Sequence, residues 1–153
     1  MTPGPQSARI REATPADAAA ITQLLAELGY PDSVDAVAAR IARAKPEGPD
    51  AVLVANLGGV VAGVASIHMI PLFHKSGYLA RITGFVVAAD LRHRGVGTAL
   101  LDGCERWAWK HRAERLEVTS GDERDDAHRF YERQGLPRQG MRFSKWLHKP
   151  AVE

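Results

Sequence analysis

The chain has 153 residues, 45% of them hydrophobic, and a formal charge of +2. That length predicts one domain, and that composition excludes global disorder. The mild positive charge does not by itself indicate a nucleic-acid partner, and the single cysteine, Cys104, excludes an internal disulfide or a cysteine-cluster zinc site.

Met1 to Pro5 carries neither the basic nor the apolar region of a signal peptide, so a cytoplasmic protein is expected. A first strand fits residues 8–12. Thr14, Pro15 and Asp17 then read as a helix start, with proline at the first helical position and an acid two residues on. Ile21, Leu24, Leu25 and Leu28 follow at helical spacing. Gly29 is placed to end that helix and Pro31 to prevent its continuation. A second helix is predicted from Ser33, with Val34, Val37, Ala38, Ile41 and Ala44 as its apolar stripe and Pro46 as its stop.

Ala51 to Phe73 contains no Asp, Glu, Lys or Arg and is long enough to span a bilayer. The cluster Asn56-Leu57-Gly58-Gly59 breaks it into two valine-rich strands joined by a turn, so no membrane segment is expected. Strands are predicted at Ala51–Ala55, Val60–Met69 and Tyr78–Ala88, a long helix from about Gly95 to His111, and a short strand at Leu116–Thr119. A further helix runs from Asp125 or Asp126 through Gln134, with Gly135 as its stop. A last strand is expected at Met141–Leu147. The order β-α-α-β-β-β-α-β-α-β implies an α/β fold with a mixed sheet flanked by helices. A single domain over residues 1–153 is expected, with its core at about 8–148.

The segment Arg92-His93-Arg94-Gly95-Val96-Gly97-Thr98 lies between an apolar strand and that long helix. The first N–H groups of a helix have no intrahelical partner and sit at the positive end of the macrodipole. Glycines there let an anion approach the backbone, so the segment suggests a phosphate-bearing ligand. A dinucleotide fingerprint would need a third glycine where Leu100 stands, and no P-loop pattern occurs.

With these residues the chain resembles the GNAT acyl-CoA N-acyltransferases. Three features carry the resemblance. One is Phe85-Val86-Val87 leading into the Arg92–Thr98 segment. Another is Asp126-Ala127-His128-Arg129-Phe130-Tyr131 followed by Gly135, and the third is the element order. The tail Arg142-Phe143-Ser144-Lys145-Trp146-Leu147 and the Asp126–Tyr131 helix are similar to the aminoalkylphosphonate N-acetyltransferase subset. The resemblance implies a mostly antiparallel sheet whose strand ending at Val87 splays from the strand at Leu116–Thr119. The pantetheine arm of acetyl-CoA would lie in the gap. Phe85, Val86 and Val87 would meet that arm, and the segment Arg92, His93, Arg94, Gly95, Val96, Gly97 and Thr98 would grip the diphosphate. Tyr131 would be the general acid that protonates the departing thiolate.

Acetyl transfer also needs a neutral amine. An alkyl ammonium with a pKa of about 10.4 is neutral in roughly one molecule in 2,500 at pH 7, a deficit of about 4.6 kcal/mol. Many relatives place a glutamate on the strand before the diphosphate loop. Thr83 and Gly84 stand there, and neither takes a proton at neutral pH. A water relay ending on His68 or His74 is one substitute, with Tyr78 and Glu27 as weaker ones. Many relatives also carry asparagine where Arg124 stands, so this arginine either meets a CoA phosphate or faces solvent. His68 and His74 lack further ligands, so no metal is expected.

The acceptor pocket is expected from the two N-terminal helices and the loop Pro71–Gly77, with Lys75 or Arg81 pairing with an anionic group on a small amine. A peptide acetyltransferase and a non-catalytic acetyl-CoA-binding module are the competing readings. Nucleic-acid binding through Trp107 and Trp109 is disfavoured, because the two residues point about 200° apart on a helix. Cys104 reads as a buried small side chain, not a catalytic thiol. Trp109 and Trp146, if exposed, mark a candidate homodimer surface.

Overall fold

The computed structural model describes residues 7–119 and 125–148. The chain divides into two compact units, Met1–Thr119 and Ser120–Glu153.

The first unit begins with β1 (Arg9–Glu12) and a 3₁₀ turn at Pro15–Asp17, which leads into α1 (Ala18–Leu28). Gly29 ends α1 at φ 104°. Its N–H bonds to the Ala26 carbonyl, and the N–H of Tyr30 bonds to that of Leu25. This pair of bonds satisfies carbonyls that the helix end would otherwise leave orphaned, and glycine adopts the left-handed conformation it needs at little cost. α2 (Val34–Arg43) starts at Ser33, whose hydroxyl accepts from the Ala36 N–H at 3.1 Å.

β2 (Asp50–Leu57) and β3 (Val60–Pro71) form the expected hairpin, and β4 (Tyr78–Val87) pairs antiparallel with β3. Gly58 and Gly59 both have positive φ, the conformation that a tight two-residue hairpin turn requires. α3 (Val96–Lys110) crosses over to β5 (Arg115–Val118), which lies parallel to β4. The sheet order is β1-β2-β3-β4-β5, with β4–β5 its one parallel pair among the described residues. This is the mostly antiparallel α/β sheet flanked by helices that the sequence predicts.

Both faces of the sheet are covered. On one side, Ile21 and Leu24 of α1 and Val37 and Ile41 of α2 pack with Val54, Val64 and Val86. On the other, Leu100, Leu101 and Cys104 of α3 are buried, as are Ile67 and Ile82, which face one another across β3 and β4. This explains why β3 reads as a nearly continuous apolar run: a strand buried on both faces has no reason to alternate. Gly103 marks the tightest approach of α3. A Cβ built there would lie 2.6 Å from Cγ2 of Ile10.

The second unit contains α4 (Asp125–Arg133), with Asp125 and Asp126 in its first turn and Arg133 in its last, each favourable to the helix dipole. Gly135, at φ 88°, ends it with the same pair of bonds that ends α1. Here they run from Gly135 to Glu132 and from Leu136 to Tyr131. The strand expected at Met141–Leu147 does not form: that segment has no regular structure. Met141, Phe143, Trp146 and Leu147 are all exposed. A strand persists only where a neighbouring edge takes up its backbone groups, and sequence alternation does not supply one.

Candidate acetyl-transfer site

The ladder between β4 and β5 covers Leu79 to Ile82 on one strand and Arg115 to Val118 on the other. β4 continues for five more residues, to Val87, still paired with β3 as far as Gly63–Val87. The last part of β4, with Phe85, Val86 and Val87, thus extends past the end of β5. Val86 turns its side chain into the α1–α2 core, while Phe85 and Val87 are half-buried.

Beyond Val87 the chain makes a 3₁₀ turn (Ala89–Leu91) that is tied to α1: the Ala89 N–H donates to the Glu27 carboxylate at 2.8 Å. Glu27 is thereby a brace for this loop. His93 and Gly95 follow with φ of 65° and 80°. Histidine is among the few side chains that tolerate the left-handed region, and glycine enters it freely. The first main-chain bond that closes α3 runs from Ala99 to Gly95 at 3.0 Å. The amides of Val96, Gly97 and Thr98 lie before it, at the positive end of a helix of 15 residues. The side chains of Arg92, His93 and Arg94 are exposed around this end, while that of Val96 is buried and anchors the turn. Amides, dipole and flanking cations together suit a diphosphate, so these residues fit the end of coenzyme A that the sequence implies.

A cavity of about 460 Å³ opens against Thr83, Gly84, Phe85 and Val86, within the range of sites that take small ligands. Ile21, Leu25, Val37 and Ile41 give it apolar walls. Its polar lining is Arg40 and Arg43 from α2, Asp50 from β2, Ser66 and His68 from β3, and Thr83. The register explains this grouping. Ser66 pairs with Gly84 but Ile67 pairs with Ile82, so Thr83 is an extra, bulged residue. The bulge turns the Thr83 hydroxyl onto the face that already carries Ser66 and His68. Its Oγ1 lies 2.7 Å from Nε2 of His68 and 2.9 Å from Oγ of Ser66. Nδ1 of His68 lies 2.8 Å from Oδ1 of Asp50.

Other expected residues sit elsewhere. His74 is exposed in the loop after β3 and does not line the cavity. Lys75 is engaged by Glu114 at 2.8 Å and Arg81 by Glu117 at 2.9 Å, so neither is the cation that faces the cavity. Arg40 is held by Asp32 at 2.9 Å, whereas Arg43 makes no ion pair among the described residues. Tyr131 lies on α4, its ring edge-on to Phe130 with centroids 5.4 Å apart. Arg124 lies outside the described residues. Cys104 is fully buried, and burial pushes its thiol up to about 12. Trp107 stacks on His111 at 4.0 Å while Trp109 is exposed, so the two tryptophans do not form one stacking surface. No helix among the described residues is long and apolar enough to cross a membrane.

A mixed sheet whose β4 extends past β5, a glycine turn into α3 and an adjoining cavity suit an acyl-CoA-dependent acyltransferase. Residues 18–136 match the Acetyltransferase (GNAT) family. The chain belongs to that family, whose acetyltransferases draw the acetyl group from acetyl-CoA. It is 36% identical over 89 residues to an aminoalkylphosphonate N-acetyltransferase of Salmonella typhimurium, a match spanning 58% of this chain and 58% of that enzyme. Among solved structures it is similar to an aminoglycoside N-acetyltransferase in complex with CoA. The TM-score is 0.82 at 18% identity, covering 97% of this chain and 100% of the other. It is also similar to glucosamine-6-phosphate N-acetyltransferase of Arabidopsis thaliana, with a TM-score of 0.79 at 17% identity, covering 93% and 99%. At such identities the structural likeness speaks for the fold.

Proposed function

We propose that this protein moves an acetyl group from acetyl-CoA to the primary amine of a small molecule that also carries an anionic group. Acetyl-CoA supplies the activated thioester. The amides of the Arg92–Thr98 segment hold its diphosphate, and the β4 edge at Phe85–Val87 aligns its pantetheine arm. The amine enters the cavity between α1, α2 and β2–β4 and attacks directly. Tyr131 donates the proton that the departing thiolate needs, as its match to the family's Phe-Tyr pair implies. A cytoplasmic setting and pairing into a homodimer belong to the same reading.

The observation that carries this proposal is the cavity lying directly against the stretch of β4 that outruns β5. An acceptor bound in that cavity would sit beside the stretch expected to align the thioester. The anionic substrate is supported by Arg43 in the cavity wall and by the likeness to an aminoalkylphosphonate enzyme. A guanidinium pairs with phosphonate or carboxylate through two parallel N–H donors.

Calorimetry with coenzyme A, followed by a thiol-release assay over a panel of amines, tests the proposal. Saturable binding and release with aminoalkylphosphonates or amino acids are expected, with Arg43→Gln raising KM for these more than for uncharged amines. Absence of CoA binding by folded protein would remove the transferase reading. Activity confined to polycations or peptide N-termini would remove the anionic acceptor.

A further inference from the structure

The deprotonation of the acceptor amine has no carboxylate to serve it at Thr83 or Gly84. Yet the structure builds a continuous hydrogen-bonded chain through that point: Asp50, His68, Thr83, Ser66. We propose that this chain is the proton acceptor of the reaction, with His68 as the terminal base, Asp50 as its orienting partner, and the Thr83 and Ser66 hydroxyls as the conduit to the cavity. The inference rests on the acetyl-transfer reading above.

The direction of each bond follows from the chemistry of the groups. An ionised carboxylate only accepts, so Nδ1 of His68 carries a proton and donates it to Asp50. In the neutral ring Nε2 is then an acceptor, and the Thr83 hydroxyl must donate to it. Thr83 has no second hydrogen, so Ser66 donates to the Thr83 oxygen. The free lone pairs of Ser66 and Thr83 are left to the cavity, which both residues line. This is the polarity that a base working through hydroxyls requires.

When an ammonium group docks there, one N–H proton passes to a hydroxyl oxygen and a hydroxyl proton passes on to Nε2. Each hydroxyl gains one proton and gives one. The ammonium becomes an amine with a free electron pair and His68 becomes an imidazolium beside the Asp50 carboxylate. The amine forms the C–N bond as the C–S bond breaks, the thiolate takes the phenolic proton of Tyr131, and the second proton lost by nitrogen restores that phenol. His68 returns its proton to water, since its side chain is about one-third exposed.

The charged groups that face His68 come from each element around it. Asp50 on β2 bonds to its Nδ1. Arg81 on β4 stands opposite His68 in the register but is held by Glu117 of β5, and Arg40 and Arg43 of α2 line the same cavity. A docked anionic group would meet these two arginines while its ammonium meets the hydroxyls. The register explains why the sequence points to His68 as a base but not to the chain it ends: its members come from three strands, and the bulge at Thr83 brings them onto one face.

The test measures kcat, kcat/KM against pH, and CoA affinity for the whole chain and its variants. His68→Gln is expected to lower kcat at pH 7 by about 10²-fold with CoA affinity unchanged. Its kcat/KM should also keep climbing with pH where the parent levels off, because hydroxide then replaces the lost base. Thr83→Val breaks the conduit and should act similarly, while Thr83→Ser restores activity to within about threefold. Asp50→Asn should cost about tenfold and shift the acidic limb of the profile. Thr83→Val exchanges one hydroxyl for a methyl on an exposed side chain, so it reports even if His68→Gln folds poorly. Turnover within threefold of the parent in both His68→Gln and Thr83→Val, or an unaltered pH profile in Thr83→Val, overturns the relay. It would leave the transferase reading intact, which falls only if the parent protein itself neither binds CoA nor releases thiol.

Discussion

Arg11 and Asp17 face one another through two hydrogen bonds, Nη1 to Oδ2 at 2.8 Å and Nη2 to Oδ1 at 2.9 Å. The pair ties β1, the edge of the sheet, to the turn that launches α1, the wall of the cavity. Asp17 also accepts the Thr14 N–H at 2.8 Å, so one carboxylate both starts the helix and fixes where it starts. It is buried, while Arg11 is partly open to solvent.

Asp17→Ala should therefore lower stability by about 1.5–3 kcal/mol, the range for a hydrogen bond to a charged group, with solvent at Arg11 favouring the lower part. The Arg11 hydrogen bonds, ahead of an opposing desolvation effect and the Thr14 N–H, hold Asp17 below its ordinary carboxylate value. A group whose folded pKa is depressed stabilises the fold above its unfolded pKa and loses that contribution as pH falls through the folded one. The difference in melting temperature between parent and variant should be full at pH 7 and shrink below about pH 4. A difference that grows in acid would contradict this assignment.

Gly103 is a packing residue. Alanine there gains up to about 1 kcal/mol of helix propensity, but its Cβ would meet Ile10 at 2.6 Å. Overpacking of that kind costs about 1–3 kcal/mol. Gly103→Ala should be net destabilising in denaturant titrations, and Ile10→Ala should reverse the sign of its effect. Additive losses in the double variant would mean that α3 and β1 do not press on one another there.

Cys104 should be inert. With burial pushing its thiol to about 12, roughly one molecule in 10⁴ is thiolate at pH 8, and only the thiolate reacts. Native protein should resist a disulfide reagent at pH 8 and react promptly once denatured. Rapid labelling of folded protein would show that α3 opens away from the sheet.

Tyr131→Phe should lower turnover by about 10²-fold or more, the low end for general acid catalysis, with acetyl-CoA still bound. Steady-state rates and calorimetry on the same preparation separate the two effects. Unchanged turnover would remove Tyr131 from the chemistry.

What could be read along the chain was local. Gly29 and Gly135 end helices where they were placed to, because a left-handed residue after a helix is a requirement that glycine meets. Gly58 and Gly59 split an apolar run for a similar reason. The Arg92–Thr98 segment is legible because a helix N-terminus is a property of consecutive residues. Pairing is another matter. Met141–Leu147 has the alternation of a strand and is not one, and Lys75 and Arg81, expected to await an anion, are engaged by Glu114 and Glu117.

Sequence by itself determined the order of elements from β1 to α4, the helix ends and the glycine turn into α3, since each depends on torsions and side chains only a few residues apart. Tertiary structure alone decided that β4 outruns β5, that Arg43 and not Lys75 faces the cavity, and that Thr83 bulges onto the face of His68. These depend on strand register: moving the Thr83 side chain to the opposite face takes a one-residue slip, and no local propensity records that choice.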